Sequence, residues 1–395
     1  MATTTDTEHA VTESYDTIVA ALRAVADALP GRANEIAAAR RLPADLVVAL
    51  KEAGAFRLAV PSALGGPELT LREQTQIIEM LAYVEPSVAW CVMIGSDSPY
   101  YSAFMDADTA RTLWPSNNEI TAGLVQPAGR ALPVEGGYRI SGRWAFGSGC
   151  THADVIVGGC MVVDDAGAPV FDANGSPDWI IAAAPADQWS ILDTWHTTGL
   201  AGSGSNDYTV TDMFVPRERC FRFSDPITRT ETLFAFRPAF VANLPGVPLG
   251  IARRSIDIVR DIAANKLILP EFVMMRDLAR VRSAIGHAEV ALGASRAYVY
   301  DSLDRLWACL SRGDEPDPDL RAAVGLARAH ACEMARDVVR SMCDTVGASS
   351  IYDTNPLERL NRDAITVAQH IVAQERMFEM GGELLLTGST AVPLL

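Results

Sequence analysis

Two side chains stand where proton chemistry on a small molecule could be done. His370 closes the segment NPLERLNRDAITVAQH (Asn355–His370), two helical turns after the Arg362-Asp363 pair, and Ile371 follows it. A neutral imidazole exchanges protons near neutral pH, whereas an apolar isoleucine takes no proton from a substrate carbon. Ser148 lies between Gly147 and Gly149 in RWAFGSGCTHAD (Arg143–Asp154). A short hydroxyl between glycines lets the backbone approach a flat ligand closely. Taken alone, the serine equally suits a turn, and the histidine a structural place on a helix face. His152, four residues after Ser148, is placed to line the same pocket or to sit part-exposed; His196, in DTWHTTGL, has no supporting pattern. The run GSGSN (Gly202–Asn206) is rich in backbone donors, which suits a cradle or a plain turn. It is not a P-loop, because no Gly-Lys-Ser/Thr follows, and it leads into a strand rather than a dinucleotide-binding helix.

These residues are spread over three kinds of segment. The first third reads as helices: Ile18, Leu22, Val25 and Leu29 recur at helical spacing until Pro30. Pro43 suits a first helical turn, Gly54 a left-handed C-cap, and Thr70 with Glu73 a capping box, with a Gly/Pro-rich loop at Val60–Leu69. From about Thr121 the period changes. Tyr138 and Ile140 alternate with polar neighbours, Ala153–Val163 and Trp179–Ala184 are continuous apolar runs, and Tyr208 and Val210 alternate again. Gly136 and the Asn-Gly pair at Asn174 mark turns, so this block reads as a small antiparallel β domain. Beyond about Arg237 the helical period returns in a stripe from Leu278 to Val299. The linker Ser311–Asp319 interrupts it, and helical segments follow around Leu326–Val346 and Pro356–Leu385. The expectation is an α+β fold: helices over 1–120, an antiparallel β domain over 121–230 and a four-helix bundle over 231–395.

Composition removes several classes. A formal charge of −16 argues against a nucleic-acid partner and against a polybasic membrane contact. The opening residues carry neither Lys nor Arg and no apolar core, so a signal peptide is not expected, and no apolar run approaches a bilayer span. Seven scattered cysteines with no metal-ligand spacing point to free thiols in a reducing cytoplasm and to no metal site.

Four segments in chain order resemble the acyl-CoA dehydrogenase superfamily: LPADLVVALKEAGAFRLAVPSALGGPEL, LVQPAGRALPVEGGYRISGRWAFGSG, GLAGSGSNDYTVTDMFVP and VGASSIYDTNPLERLNRD. Family members usually show Gly-Gly where Gly347 and Ala348 stand. A dehydrogenase often places its catalytic glutamate where this chain has Ile371, and FAFRPAFVANL (Phe234–Leu244) offers no carboxylate for the alternative base. RWAFGSGCTHAD and His370 are instead similar to the branch formed by oxygenase components of two-component flavin monooxygenases. That branch includes 4-hydroxyphenylacetate 3-hydroxylases, dibenzothiophene monooxygenases and amino-sugar N-oxygenases.

The resemblance implies reduced FAD or FMN, with FADH2 preferred, supplied by a separate reductase, since no nicotinamide fingerprint is present. It also implies dioxygen as co-substrate, a C4a-hydroperoxide sheltered in a dry pocket, and assembly as a homotetramer or dimer. His370 and Ser148 become the implied catalytic residues. Gln126, Trp144, Phe146, Gly147, Ser148, Gly149, Gly204, Ser205 and Gly347 become implied flavin contacts. Some branch members carry a histidine near the stretch reading MIGSDSPYY here; this chain has Asp97 and Ser98 instead. Substrate contact from that side then falls to Asp97, Tyr100 and Tyr101, and His152 is a further candidate substrate contact. The expected reaction is hydroxylation of a phenolic or polycyclic aromatic. Alternatives are N-oxygenation of an amine such as a nucleotide-linked amino sugar, an acyl-CoA dehydrogenase with a displaced base such as Glu375, and a non-catalytic helical protein.

Overall fold

The computed structural model describes residues 14–172 and 175–390, so the turn at Asn174 lies outside the described residues. The chain opens with α1 (Tyr15–Asp27), α2 (Ala33–Ala39), α3 (Ala44–Glu52), α4 (Leu71–Val84), α5 (Pro86–Gly95), α6 (Ser98–Ser102) and α7 (Ala107–Leu113). Helix α4 starts on a full capping box. The Thr70 hydroxyl accepts from Glu73 N–H at 3.2 Å, and the Glu73 carboxylate accepts from Thr70 N–H at 2.8 Å. Helix α5, PSVAWCVMIG, is apolar on every side and buried on nearly every side, which fits a helix enclosed between other elements.

Seven strands follow: β1 (Thr121–Val134), β2 (Gly137–Gly147), β3 (Val155–Val162), β4 (Trp179–Pro185), β5 (Ser190–Leu192), β6 (Asn206–Pro216) and β7 (Cys220–Phe221), in the order β5-β6-β2-β1-β3-β4-β7. The sheet is mixed, not purely antiparallel, because β1 and β3 pair in parallel. The β1–β2 hairpin has already brought the chain back to the start of β1. The short loop 148–154 then only has to pass that strand end for β3 to run beside β1, Thr121 opposite Val155. A parallel pair normally needs a long crossover, but here β2 supplies the return. The loop carrying Ser148 is therefore fixed at the end of the sheet that faces the helices.

The C-terminal part comprises α8 (Gly246–Asn265), α9 (Ala279–Ser311), α10 (Pro318–Val346), α11 (Pro356–Val367) and α12 (Arg376–Thr387). The segment expected as one helix over Pro356–Leu385 is two, with His370 in the break. The His370 side chain accepts from Val372 N–H and caps a short 3-10 turn over Ile371–Ala373. A side chain that captures a backbone donor competes with helix continuation, and no Gly or Pro announces the break. N- and C-terminal helices share one core, in which α8 meets α4 so closely that a Cβ on Gly250 would lie 2.4 Å from the Glu79 carbonyl. None of the helices among the described residues is long and apolar enough to cross a membrane.

Candidate active site

The residue joining the two sequence candidates is Trp90, on α5. Its indole N–H donates to Ser148 Oγ at 2.9 Å, and its ring meets the His370 imidazole edge-on with centroids 5.5 Å apart. Ser148 and His370, 222 positions apart in the chain, thus touch opposite parts of one side chain. Ser148 follows a register irregularity between Trp144 and Gly147, which ends the regular pairing of β2 with β6. Its hydroxyl shares a 2.8 Å hydrogen bond with Ser205, whose hydroxyl shares one of 2.7 Å with Ser203. A serine hydroxyl offers one donor and two acceptor positions, so Ser148 keeps one for a ligand. The loop bearing Ser203 and Ser205 is tied back by Gly149 N–H to the Ser203 carbonyl at 2.9 Å and is flanked by left-handed Leu200 and Gly204.

His370 is part-buried, and burial, reinforced by the Arg328 guanidinium, pulls its pKa down to about 4. It is therefore neutral across the physiological range. With Nδ1 accepting from Val372 N–H at 3.5 Å, the proton resides on Nε2 and is available to donate. A weakly basic imidazole of this kind is better suited to giving a hydrogen bond to oxygen than to stripping a proton from a phenol.

Other sequence candidates fall into three groups. Gly147, Gly149, Gly204 and Ser205 lie in the two loops that meet at Ser148. Phe146, two positions before Ser148, has φ 60 and is 66% exposed, with its ring edge-on to Trp195. A bulky aromatic held in left-handed backbone and turned outward at the lip of a cleft is a strained placement. His152 packs behind Gly149, where a Cβ would come within 3.1 Å of Nε2. Neither of its ring nitrogens has a hydrogen-bond partner among the described residues, and burial draws its pKa to about 4. Gln126 is exposed on the irregular stretch of β1.

Asp97, Tyr100 and Tyr101 form the second group, at the start of α6, about 10 Å along the chain path from Trp90 at helical rise. Burial alone pushes the Asp97 carboxyl well above its ordinary range, with no hydrogen bond or opposite charge among the described residues to offset it. The Tyr100 hydroxyl is also buried without a partner. Tyr100 borders a tight pocket of about 20 Å³ lined also by Phe104, Phe223, Phe234, Phe236, Arg237 and Phe240. Tyr101 lines the same pocket, edge-on to Phe240, and also meets Phe221 and the sheet.

Two expected flavin contacts need correction. Trp144 is 0% exposed, stacked on Tyr208 and hydrogen-bonded to the Gly159 carbonyl at 2.7 Å. It is a core residue of the sheet with no face left for a ligand. Gly347 caps the far end of α10, nineteen residues from the Arg328 that faces His370, or roughly 28 Å at helical rise, and so stands apart from this site within the chain. Arg362 and Asp363, adjacent in the sequence, form no ion pair with each other. Arg362 pairs with Glu358, while Asp363 accepts from Leu200 N–H at 2.6 Å. Trp90 escaped the sequence reading, its only signal being an indole N–H, which needs a partner, inside an otherwise apolar helix.

The site brings together two glycines beside a hydroxyl with a spare valence, an exposed aromatic two residues away, and a neutral imidazole against the same tryptophan. The chain is similar to known proteins over most of its length. The acyl-CoA dehydrogenase N-terminal domain family matches residues 12–103 and the acyl-CoA dehydrogenase C-terminal domain family residues 244–375, together more than half of the chain. The indole-3-acetate monooxygenase of Pseudomonas putida is 29% identical over 371 residues, covering 92% of each protein. The FADH(2)-dependent resorcinol hydroxylase, oxygenase component, of Rhizobium sp. (strain MTP-10005) is 26% identical, again over 92% of each. Among solved structures, XiaF from Streptomyces sp. in complex with FADH2 and glycerol superposes with a TM-score of 0.88 at 23% identity, over 96% of this chain and 98% of that one.

Proposed function

The chain belongs to the acyl-CoA dehydrogenase superfamily, and we propose that within it this protein is the oxygenase component of a two-component flavin-dependent monooxygenase, acting on an aromatic small molecule. The observation that carries the reading is the meeting of Ser148 and a neutral His370 on Trp90. Reduced flavin, FADH2 by preference, supplies two electrons and the activation of dioxygen; one oxygen atom goes to the substrate and the other leaves as water. Nicotinamide-dependent reduction falls to a separate reductase.

The protein's part is positioning and exclusion of water. Trp90 fixes the Ser148 hydroxyl, which presents its remaining hydrogen-bond position to the flavin edge. Gly147, Gly149, Gly204 and Ser205 let the two loops approach that ring. His370 donates from Nε2 to oxygen in the cleft, where departing oxygen needs a proton source. Asp97 and Tyr100 face the substrate side as polar groups that a ligand would satisfy, beside the aromatic walls. The displaced-base dehydrogenase has little support, because Glu375 is exposed at the start of α12.

The test supplies chemically reduced FAD, ¹⁸O₂ and a panel of indoles and phenols. One ¹⁸O atom in an aromatic product is the expected result. Hydrogen peroxide alone with every aromatic, together with anaerobic bleaching of oxidised FAD by an acyl thioester, would overturn the proposal.

A further inference from the structure

The three elements that bring Trp90, the serine loop and His370 together also meet elsewhere, at a buried charged cluster. Glu85 is the N-cap of α5, five residues before Trp90. Arg359 and Asp363 lie one turn apart on α11, which leads to His370. Arg359 Nη2 is 3.4 Å from Glu85 Oε2, and Asp363 Oδ1 accepts from Leu200 N–H at 2.6 Å, three residues before Ser203. Glu85 and Asp363 are 3% and 2% exposed, so both carboxyl groups are removed from water. Glu85 Oε2 and Asp363 Oδ2 have no hydrogen-bond partner among the described residues. The serine loop is pressed onto α11 at this point, since a Cβ on Gly199 would lie 2.2 Å from the Arg362 carbonyl.

We propose that Glu85, Arg359 and Asp363 are positioning residues that lock α5, the loop 198–206 and α11 into one geometry and so set the distance between Ser148 and His370. None of the three reaches the cleft itself. Asp363 holds the height of Ser203 and Ser205 through Leu200, and those hydroxyls hold Ser148. Arg359 bridges that anchor to the cap of α5 and thereby to Trp90. Arg359 faces both buried carboxyl groups, and Arg362, the other cation near Asp363, is paired with Glu358, so neutrality is reached when one of the two keeps its proton. Burial and the Glu85 charge favour Asp363 as the holder, raising its pKa to about 7.

The test compares hydrogen exchange in the 198–206 loop with the ratio of product formed to oxygen consumed. Only the second measurement rests on the proposed function, so the exchange measurement decides the inference even if no substrate is oxidised. In Asp363→Ala, Leu200 N–H loses its acceptor, and its exchange should quicken by roughly 10- to 100-fold while product per oxygen falls. Asp363→Asn keeps an acceptor and should behave as the parent. Should Asp363→Ala not fold, Arg359→Gln decides. It should loosen the same loop, and Glu85→Gln/Arg359→Gln, which removes the surplus charge, should restore it. A general loss of stability would lower all rates without changing the product-to-oxygen ratio. Unchanged loop exchange in a folded Asp363→Ala or Arg359→Gln, or failure of the double variant to restore it, overturns the inference.

Discussion

Trp90→Phe isolates the contact on which the site is built. The phenyl ring keeps an edge for His370 but removes the indole N–H that reaches Ser148 Oγ at 2.9 Å. Losing one buried neutral hydrogen bond costs about 1 kcal/mol, and the smaller ring leaves a partly filled space worth about 1–2 kcal/mol more. Urea denaturation should therefore show a loss of roughly 2–3 kcal/mol in all. The site effect is separable from that sum. About 1 kcal/mol is close to a fivefold change in the fraction of molecules holding the hydroxyl correctly, so the peroxide released per product should rise severalfold. Because Ser148 keeps Ser205 as a second partner, the hydroxyl is loosened rather than freed. A cycle with Ser148→Ala checks the attribution, with an expected coupling of about 0.5–1.5 kcal/mol between the two positions. If the two substitutions simply add, and peroxide leakage in Trp90→Phe matches the parent, Trp90 is packing alone and the argument from it fails.

Other outcomes follow from the same geometry. His370→Asn, which can still donate near the cleft, should retain more product per oxygen than His370→Ala in the same oxygen-electrode assay. Glu375→Gln should leave turnover unaltered, because that carboxylate is exposed; a collapse of activity would revive the displaced-base dehydrogenase. His370 and His152 both have folded pKa values drawn down to about 4, below the ordinary 6.5. Their neutral burial stabilises fully above pH 6.5, and that contribution is lost as pH falls toward 4, at up to about 1.4 kcal/mol per pH unit for each. Urea midpoints from pH 7 to 4 should show this limb, and it should be shallower in His152→Phe. Asp363 has the opposite sign: raised to about 7, it stabilises fully below its ordinary value of 3.8 and loses that contribution as pH rises toward 7. Asp363→Asn should thus gain on the parent in urea midpoint as pH climbs across that window.

Much of the fold was legible because its signals are local. The capping box at Thr70, the change from helical to alternating period near Thr121 and the Gly136 turn each depend on a few adjacent residues. Ser148 and His370 were legible through their neighbours, the glycine pair and the Arg362-Asp363 register. What escaped depends on distant packing. Whether β3 runs parallel to β1 is decided by which flank it takes after the hairpin, and alternation alone does not encode that choice. The break at His370 is made by a side-chain cap in a stretch whose apolar residues Val367, Ile371 and Phe378 keep helical spacing through it. Trp90 was hidden by uniformity, since a helix apolar all round has no face to single out. Gly347 matched in pattern yet stands at the wrong end of a long helix, a matter of distance that no motif carries.

The break between α11 and α12 also limits what this scaffold can become. Ile371, the position where a thioester-oxidising relative would hold its carboxylate, is 45% exposed and belongs to the short turn that His370 caps. Ile371→Glu would therefore put its charge in water, away from the cleft. Regaining carbon-acid chemistry requires rebuilding the turn as continuous helix, which removes the capping role of His370. On the proposed function, the two catalytic solutions are separated by backbone, and no single exchange of side chains converts one into the other.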